Sequence, residues 1–597
     1  MKLRFNNNFW GYFNFYYSVV GYKVFVYLFL SISISFLDGM GLAMFMPLLQ
    51  SVGSNNPGQG KETMGLLHFF TDFITGLGFE MTIGTILVVL VILFVLKGIL
   101  KFIQLNYLVN LRYLFIRKVR YYLIQNLQKL SYTGFLKLDA GRIQNTLTGE
   151  VQRLFQTMNN YFGAAQSIGM LFTYIFLAFL ANYQFAVLVA IGAGLSNLIY
   201  RKIYKETKKA SLELSKKGNN FNSFLVQAIY QFKYLKATNY FTKYTKKLKL
   251  VIDETEALNK KIGYYNSITM SVKEPIIIVI VTVVIQLQLN VLGASLSSIL
   301  LSLLLFYRAL SFLMVVQNNW QSFIQNLGGM NSVATISQEM TDMQENPGNL
   351  TFKKLEATLF IRDVSFAYGE HSVLKNINIE IQKNKTVAFV GESGSGKTTL
   401  ANMICGLLNP ASGEILIDTV PLPEFNSDSF RSRIGYISQE AVVFNDNIFN
   451  NITFWAEQTE ENIDRFWKTV ALASLTDFIN GLPNKELTNL GDNGVLISGG
   501  QKQRISIARE LYKPAEILIF DEATSALDSE TELIIQENIE KLHGSYTMVI
   551  IAHRLSTIKN ADTIYLLEKG RVSSAGNFEE MCKNSPKFHR MVSLQEF

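Results

Sequence analysis

The sequence predicts an α-helical transmembrane domain of six spans followed by an α/β domain of the P-loop type. The first half contains long apolar runs, each near the roughly 20 residues that a helix needs to cross a bilayer. From Leu359 onward, short strands rich in β-branched residues alternate with helices. One of these strands, Thr386–Val390, leads directly into Gly391–Thr398, where glycines precede Lys and Thr in the full phosphate-loop pattern.

The composition agrees with a very apolar part joined to an ordinary globular part. Of the 597 residues, 49% are hydrophobic and 17% are charged, and the mean hydropathy is +0.19. The net charge of +8 comes with Lys and Arg concentrated in two blocks beside apolar runs, which favours a membrane surface over nucleic acid. The two cysteines, Cys405 and Cys582, are too few and too far apart for a disulfide framework or a cysteine metal site.

The N-terminal segment, residues 1–22, is rich in aromatic side chains, and we expect it to lie at the cytoplasmic membrane interface. A cleavable signal is not expected, because the next apolar run is too long and no small-residue cleavage pattern follows it. The transmembrane domain is predicted at 23–320. Its spans are expected at about 24–49, 83–103, 162–181, 184–204, 275–293 and 296–317.

Basic residues predict the orientation of these spans. The segments between spans two and three and between spans four and five are rich in Lys and Arg, whereas the outer loops carry almost none. Because positive residues stay on the cytoplasmic side, we expect a multi-pass membrane protein with both termini in the cytoplasm. Residues 321–357 are predicted to be a linker, and 358–597 an ATP-binding domain.

Three segments outside the spans carry less specific patterns. Residues 141–151 and 223–230 lie on predicted cytoplasmic extensions, and they fit either ordinary amphipathic helix or segments that couple two domains. In the first outer loop, Met64–Leu77 fits a short amphipathic helix, which either lies on the outer leaflet or packs on the spans.

The α/β domain carries the predicted phosphate chemistry. Glycine amides of the phosphate loop would wrap the phosphates, Lys397 would reach their outer oxygens, and Thr398 would offer a hydroxyl to Mg²⁺. The buried strand Ile517–Phe520 delivers two carboxylates at its carboxyl end. Asp521 would hold Mg²⁺, directly or through water, and Glu522 would act as the general base for the attacking water.

A second phosphate-binding terminus is predicted at Ile497–Gln501, where a serine and a glycine pair open a helix. The same chain already has a phosphate cradle about a hundred residues upstream. We therefore expect the second terminus to serve a nucleotide held by another copy of the chain, so that the protein works as a dimer.

This ordered set of motifs resembles the ABC exporters, and the resemblance covers essentially the whole chain as one half-transporter fused to its own ATPase. It implies that Ile497–Gln501, with Ile where the family usually has Leu, closes over ATP held by the partner subunit. Gln439 resembles the loop glutamine that senses Mg²⁺ and water, and His553 resembles the switch histidine of the γ-phosphate. Asp528 resembles the end of the loop that contacts the other subunit, and Tyr368 the aromatic that stacks on adenine.

The resemblance therefore implies a full set of site residues. The catalytic candidates are Glu522, His553 and Gln439, and the Mg²⁺ candidates are Thr398, Gln439 and Asp521. The candidate ATP contacts are Tyr368, Gly391, Glu392, Ser393, Gly394, Ser395, Gly396, Lys397, Thr398, Thr399, Ser498, Gly499, Gly500, Gln501 and Asp528. Asn489 stands where many exporters carry a glutamate, a departure that concerns contact between domains and not the ATPase.

Charged side chains inside the spans are costly and therefore indicate function. Arg308 and Lys97 are predicted at nearly the same depth in the inner half, with Lys101 one turn further in and Lys273 at the inner mouth of span five. In a dimer they would form a cationic belt suited to phosphate or pyrophosphate, unless the lysines extend to the interface instead. Asp38, in the outer half of span one, either belongs to the pathway or bonds to polar neighbours.

These charges, together with the outer-loop helix and Asp38-Gly39-Met40-Gly41 before Pro47, resemble flippases of lipid-linked oligosaccharides. The resemblance implies ATP-driven flipping of a polyprenyl-pyrophosphate oligosaccharide by alternating access. A multidrug or lipid A exporter has the same architecture and is the alternative. The expected partners are a second copy and a lipid or lipid-linked substrate. Nucleic acid is not expected, because the members of this class that act on ribosomes or DNA lack spans.

Overall fold

The computed structural model describes residues 3–44, 76, 82–181, 183–290, 296–522, 529–552 and 554–595. The chain folds as two compact units, Met1–Gln344 and Glu345–Phe597. Helices build the first unit, and the second combines helices with two β-sheets.

Long helices dominate the first unit because long apolar runs satisfy all their backbone hydrogen bonds within one element. A π-helical turn, Thr146–Glu150, joins two of them. The helices are α1 (Phe9–Val20), α2 (Lys23–Ala43), α3 (Ile83–Gln128), α4 (Tyr132–Lys137), α5 (Ala140–Asn145), α6 (Val151–Ala181), α7 (Tyr183–Tyr230), α8 (Phe232–Ala237), α9 (Phe241–Asn290) and α10 (Leu296–Asp342).

Membrane-spanning capacity is clear in this unit. Within the described residues, four helical segments are long and apolar enough to cross a bilayer: Lys23–Leu42, Ile83–Gln128, Ala140–Leu180 and Phe241–Leu287. The other two predicted spans fall within α7 and α10. The predicted outer-loop helix lies outside the described residues apart from Gly76.

The N-terminal helix α1 packs one face into the protein. Tyr12, Phe15 and Tyr16 are buried there, and the Tyr16 hydroxyl donates a hydrogen bond to Thr157 Oγ1 at 2.9 Å. Trp10, on the opposite face, is 70% exposed. The aromatic residues recur every three or four positions, so the segment that was expected at the membrane interface has a buried stripe as well as an exposed one.

Close contact between α6, α7 and α10 depends on a glycine and an arginine. A Cβ atom on Gly328 of α10 would lie 2.1 Å from the backbone oxygen of Ser211 on α7, so only glycine fits. Arg153 of α6 donates hydrogen bonds to Ser215 Oγ at 2.6 Å, Ser211 Oγ at 3.2 Å and the Gln325 carbonyl at 3.2 Å. These contacts fix the register of the three helices.

The linker differs from its predicted extent. Residues 321–342, expected to begin it, continue α10 without a break. The apolar run ends near the predicted boundary, yet the helix persists because a narrower stripe still packs against the protein. This buried stripe consists of Phe323, Leu327, Met330, Val333, Ile336 and Met340.

The second unit contains two sheets. One sheet has the order β2-β1-β4-β5, and the other has the order β10-β9-β3-β8-β7-β6. Strands β9, β3, β8, β7 and β6 are parallel, so their carboxyl ends meet at one edge. The strands are β1 (Thr358–Tyr368), β2 (His371–Gln382), β3 (Thr386–Val390), β4 (Ser412–Ile417), β5 (Val420–Pro421), β6 (Ile434–Ile437), β7 (Ile517–Asp521), β8 (Thr547–Ile551), β9 (Thr563–Glu568) and β10 (Arg571–Gly576).

Helices surround these sheets and complete the α/β architecture. They are α11 (Lys397–Ile404), α12 (Ser427–Arg431), α13 (Ile448–Thr453), α14 (Glu460–Leu472), α15 (Thr476–Asn480), α16 (Gly499–Tyr512), α17 (Ser529–Leu542), α18 (Phe578–Asn584) and α19 (Pro586–Gln595). One hydrophobic core joins the parallel sheet to α13, α14 and α16.

Gly328→Ala is expected to destabilise the helical unit by about 1–3 kcal/mol, because the added methyl group overlaps the α7 backbone. Gly263→Ala is the matched control, since a Cβ there meets no atom within 4 Å. The control should be neutral or stabilising by about 0.5–1 kcal/mol. Thermal unfolding of the protein in nanodiscs measures both, and equal midpoints for the two variants would contradict the packing.

Candidate functional site

The phosphate loop is shaped by backbone geometry that requires glycine. Strand β3, buried along its whole length, ends at Val390, and the chain turns at Gly391 with φ +153°. A Cβ on Gly391 would lie 2.2 Å from the Leu567 carbonyl oxygen. Gly396, with φ +104°, then caps α11. The N-terminus of α11 therefore faces a loop of backbone amides, an arrangement that binds anions.

Two side chains in this loop fit phosphate oxygens. Lys397 is 6% exposed, and its Nζ donates hydrogen bonds to the carbonyls of Gly391 at 2.9 Å and Glu392 at 3.1 Å. Burial lowers the pKa of Lys397, while the carboxylates of Asp521 and Glu522 act in the opposite direction. The buried Oγ of Ser395 has no hydrogen-bond partner within the described residues, as expected for a group that meets a ligand.

Two of the three predicted Mg²⁺ residues, Thr398 and Asp521, meet at the carboxyl end of β7. The Tyr436 hydroxyl donates a hydrogen bond to Asp521 Oδ2 at 2.8 Å, and the Thr398 hydroxyl bonds to the same carboxylate. Burial raises the pKa of Asp521, whereas the bonds from Tyr436 and Thr398 lower it. A hydroxyl and a carboxylate oxygen are suitable Mg²⁺ ligands, so Thr398 and Asp521 fit this ion.

The predicted general base lies beside the predicted loop glutamine. Gln439 Nε2 donates a hydrogen bond to Glu522 Oε2 at 2.6 Å. Glu522 has the left-handed φ of +50°, and its N–H donates to the Ile551 carbonyl at 3.1 Å. This strained conformation directs the residue after β7, and such strain is often found at functional sites.

The Ser498 side chain organises the start of α16. Its Oγ accepts a hydrogen bond from the Gln501 N–H at 3.3 Å, while Gln501 Oε1 accepts one from the Ser498 N–H at 2.9 Å. This reciprocal cap leaves Gly499 and Gly500 in the first turn, where no side chain blocks the approach of an anion. The predicted second phosphate-binding terminus is therefore a regular helix start.

Sequence reasoning missed a buried arginine on the same helix. Arg509 is 3% exposed and donates hydrogen bonds to the carbonyls of Asn451 at 2.6 Å and Val442 at 2.7 Å. Gln503 Nε2 also donates to the Ser438 carbonyl at 3.4 Å, next to Gln439. Helix α16 is thus bonded to the segment that carries the loop glutamine. An arginine among apolar residues in the helix was the available signal.

The remaining predicted ATP residues are only partly placed. Tyr368 ends β1 and is 43% exposed, with its ring edge-on to Phe366 at 4.9 Å. Glu392 forms an ion pair with Lys587 of α19 at 2.8 Å. His553 and Asp528 lie outside the described residues.

Within the helical unit, Asp38 is the centre of a polar cluster. It forms an ion pair with Lys97, and its Oδ2 accepts a hydrogen bond from the Tyr174 hydroxyl at 2.6 Å. The two side chains touch, so Asp38, predicted in the outer half, and Lys97, predicted in the inner half, lie at neighbouring depths. Helix α3 continues to Gln128, well past the predicted end of span two at residue 103.

The other predicted cations have different surroundings. Lys273 is 3% exposed and donates a hydrogen bond to Asn318 Oδ1. It was predicted to belong to an open cationic belt, but in this buried position it does not contribute to one. Lys101 and Arg308 are exposed, and neither forms an ion pair with a described residue. Phe312, four residues after Arg308, stacks on Tyr174 at 5.4 Å between ring centres, which puts Arg308 near the level of the Asp38 cluster.

The comparisons with known proteins decide the family. A profile described as ABC transporter matches residues 374–525, and one described as ABC transporter transmembrane region matches residues 24–314. The heterocyst differentiation ATP-binding protein HepA of Nostoc sp. is 32% identical over 483 residues, which are 79% of this chain and 78% of that protein. This chain belongs to the ABC transporter family.

Other similar proteins agree with this assignment. The ATP-dependent lipid A-core flippase of Francisella tularensis is 42% identical over 251 residues, which are 42% of this chain and 41% of the flippase. The structure of a bacterial Atm1-family ABC exporter with ATP bound matches this fold with a TM-score of 0.75 at 22% sequence identity. The match covers 93% of this chain and 97% of the exporter chain. The ABC transporter described here is therefore a multi-pass half-transporter that hydrolyses ATP, and this fold generally acts as a dimer.

Tyr436→Phe is expected to weaken Mg²⁺ binding, because Asp521 loses a hydrogen bond that stabilises its charged form. The Mg²⁺ concentration for half-maximal ATP hydrolysis should rise by about fivefold. Losing this bond also raises the pKa of Asp521, so the acid limb of the rate profile should shift to higher pH.

Tyr565→Phe serves as the control, since its hydroxyl donates to the Glu380 carbonyl and not to Asp521. An unchanged Mg²⁺ requirement and pH profile in Tyr436→Phe would show that the tyrosine has no part in holding the carboxylate.

Proposed function

We propose that this ABC transporter is a homodimeric flippase of the bacterial cytoplasmic membrane that moves a phosphate-bearing glycolipid outward. The leading substrate is a polyprenyl-pyrophosphate oligosaccharide. The observation that carries this proposal is Arg308, an exposed guanidinium within α10 that forms no ion pair with a described residue. A cation in a span is costly unless it meets an anion or water, and arginine binds phosphate oxygens in pairs.

Arg308 differs from Lys97 and Lys273, which have polar partners within the protein. Lys97 is neutralised by Asp38, and Lys273 is buried against Asn318. The proposed headgroup contact is therefore narrower than a belt of lysines. Each subunit supplies Arg308, and the Asp38–Lys97 pair lies near it as a polar surface that carries no net charge.

Lipid A export is the second candidate, because several relatives are named lipid A-core flippases. Lipid A is also a phosphate-bearing lipid, so Arg308 would serve either headgroup. A multidrug exporter is the remaining alternative, but it offers no reason for a span cation that forms no ion pair with a described residue.

The ATP site is proposed to work through residues of this chain. Lys397 and Ser395 bind phosphate oxygens, Thr398 and Asp521 hold Mg²⁺, and Glu522 accepts the proton of the attacking water. Bound Mg²⁺ neutralises charge on the phosphate oxygens. In the same proposal His553 contacts the γ-phosphate, Asp528 faces the partner, and Tyr368 stacks on adenine.

The dimer is proposed because α16 begins with two glycines that present amides without side chains. These amides would bind the γ-phosphate of ATP held by the phosphate loop of the other copy. Binding of two ATP molecules would then draw the two ATPase units together, and hydrolysis would release them.

A complementation experiment tests the shared site. Lys397→Ala and Ser498→Arg should each abolish ATP hydrolysis alone. In a mixed dimer, the intact phosphate loop of one chain faces the intact Ser498 of the other. Random mixing should therefore restore about a quarter of the wild-type rate, since half of the dimers each hold one complete site. No recovery, with mixed dimers detected by mass, would contradict a site shared between chains.

Substrate-stimulated ATP hydrolysis in nanodiscs tests the proposed substrate. A polyprenyl-pyrophosphate glycan should stimulate the wild type more than lipid A or apolar cationic drugs. In Arg308→Ala the stimulation should fall by about tenfold or more while basal hydrolysis persists.

Two variants serve as controls for this experiment. Arg308→Lys should keep part of the stimulation because it keeps the charge, and Glu522→Gln should lose all hydrolysis. A preference for lipid A would select the second candidate. Stimulation by apolar cations alone would reject both lipids.

A further inference from the structure

A cavity of about 700 Å³ opens between α1, α6, α7 and α10 of the helical unit, apart from the ATP site. Its lining combines apolar side chains with a few hydrogen-bond donors. Cavities of this size hold drug-sized ligands, or a lipid headgroup with the first part of its chains.

The lining changes from apolar to polar along the helices. Gly194 and Arg201 of α7 are seven residues apart, or about 10 Å, and Leu313 and Trp320 of α10 have the same spacing. Leu313 and Gly194 line one end, whereas Arg201 and Trp320 line the other. In the proposed orientation the polar end lies toward the cytoplasm. The cavity thus has the polarity of an inner-leaflet lipid.

Four side chains in the lining carry hydrogen-bond donors. Arg201, Tyr204, Gln317 and Trp320 all carry N–H or O–H groups, and none of these side chains makes a hydrogen bond to the described part of the chain. Gln317 as a whole residue is 6% exposed. Buried polar groups are normally hydrogen-bonded, and an exception calls for a ligand or water.

The type of donor indicates the type of ligand. A guanidinium, a phenol, an amide and an indole together offer several donors, and Arg201 forms no ion pair with a described residue. Phosphate oxygens are acceptors with negative charge, and a headgroup with a net negative charge suits a guanidinium better than a zwitterionic headgroup, whose choline or amine offsets the phosphate charge.

We infer that this cavity binds the headgroup of a lipid from the inner leaflet that bears phosphate and carries a net negative charge. The phosphate meets Arg201, Tyr204 and Gln317, and the chains leave past Leu313 and Gly194 toward the bilayer. The lipid is either a bulk acidic phospholipid or the transported glycolipid before it reaches Arg308. The inference rests on the orientation in the proposed function, but lipid binding is measurable without transport.

The position of the cavity suits a loading site. The Gln321 amide donates to Thr207 Oγ1 at 3.1 Å, a pairing that aligns α10 with α7. With the same offset along the two helices, Gly194 lies near the level of Arg308, and Arg201 lies about 10 Å nearer the cytoplasmic end. A phosphate bound at Arg201 would therefore lie about 10 Å nearer the cytoplasm than Arg308.

Fluorescence quenching by brominated lipids tests the cavity. In a Trp10→Phe background, Trp320 is the remaining tryptophan of the helical unit, since Trp455 and Trp467 belong to the second unit. Brominated phosphatidylglycerol in phosphatidylcholine nanodiscs should quench Trp320 more than brominated phosphatidylcholine does. Arg201→Gln should weaken this preference by about tenfold, because a charged hydrogen bond is lost.

A matched pair of glycine variants fills the cavity or leaves it open. A Cβ on Gly194 meets no atom within 4 Å, so Gly194→Phe can occupy the cavity without displacing the protein. Gly98 on α3 has the same free surroundings and does not line the cavity, so Gly98→Phe is the control. Gly194→Phe should remove the preferential quenching, and Gly98→Phe should leave it unchanged.

The outcomes distinguish a bulk phospholipid from the transported glycolipid as the bound lipid, and they test the cavity separately from the proposed function. Competition by a polyprenyl pyrophosphate would identify a loading site, and its absence would identify a bulk phospholipid site; both support the inference. Equal quenching by the two brominated lipids, or unchanged quenching in Gly194→Phe, would overturn it. If Gly194→Phe left the quenching unchanged but altered the mass of the oligomer, the inference would also be overturned, because the cavity would then belong to the contact between two copies of the chain. Arg308→Ala should retain the quenching, so loss of substrate stimulation there is a separate result.

Discussion

A charge inside a bilayer is tolerated only if it is paired or meets a ligand, and this constraint orders the membrane part of the transporter. Asp38 satisfies Lys97 and accepts a bond from Tyr174, so that three helices share one neutral polar cluster. Lys273 is satisfied by Asn318. Arg308 has no such partner among the described residues, and the proposed transport of a phosphate-bearing lipid follows from that difference.

A related constraint shapes the ATPase unit, where phosphate and metal chemistry needs several groups at one place. Parallel strands bring Lys397, Asp521 and Glu522 to one edge of the sheet. Tyr436 lies in the edge strand β6 and bonds to Asp521. Gln439 follows the same strand and bonds to Glu522. Helix α16 is bonded to the same region through Gln503. A movement of the segment that carries Gln439 would therefore shift the N-terminus of α16, which is proposed to face the partner's ATP.

The sequence was sufficient for features that are local in the chain. The phosphate loop, the strand before Asp521 and the cap at Ser498 are short motifs whose geometry follows from neighbouring residues. It was not sufficient for contacts between distant residues. Lys97 and Asp38 are 59 positions apart, and Tyr436 and Asp521 are 85 apart, so no spacing rule pairs them.

Helix limits were harder to predict than helices. The end of α10 was placed too early because the apolar run was followed instead of the narrower buried stripe. The cavity beside Arg201 depends on four helices and could not be inferred from any one of them. Residues such as His553 and Asp528 remain predictions from their motifs.

The most direct measurement of the central claim is transport itself. The wild-type protein and Glu522→Gln would be reconstituted in liposomes with a polyprenyl-pyrophosphate oligosaccharide whose sugars are accessible to an added glycosidase only on the ATPase side. Addition of ATP should protect the glycan from the enzyme in wild-type liposomes and leave it exposed in the variant. Equal exposure in both, with ATP hydrolysed by the wild type, would contradict the proposal that this ABC transporter flips such a lipid.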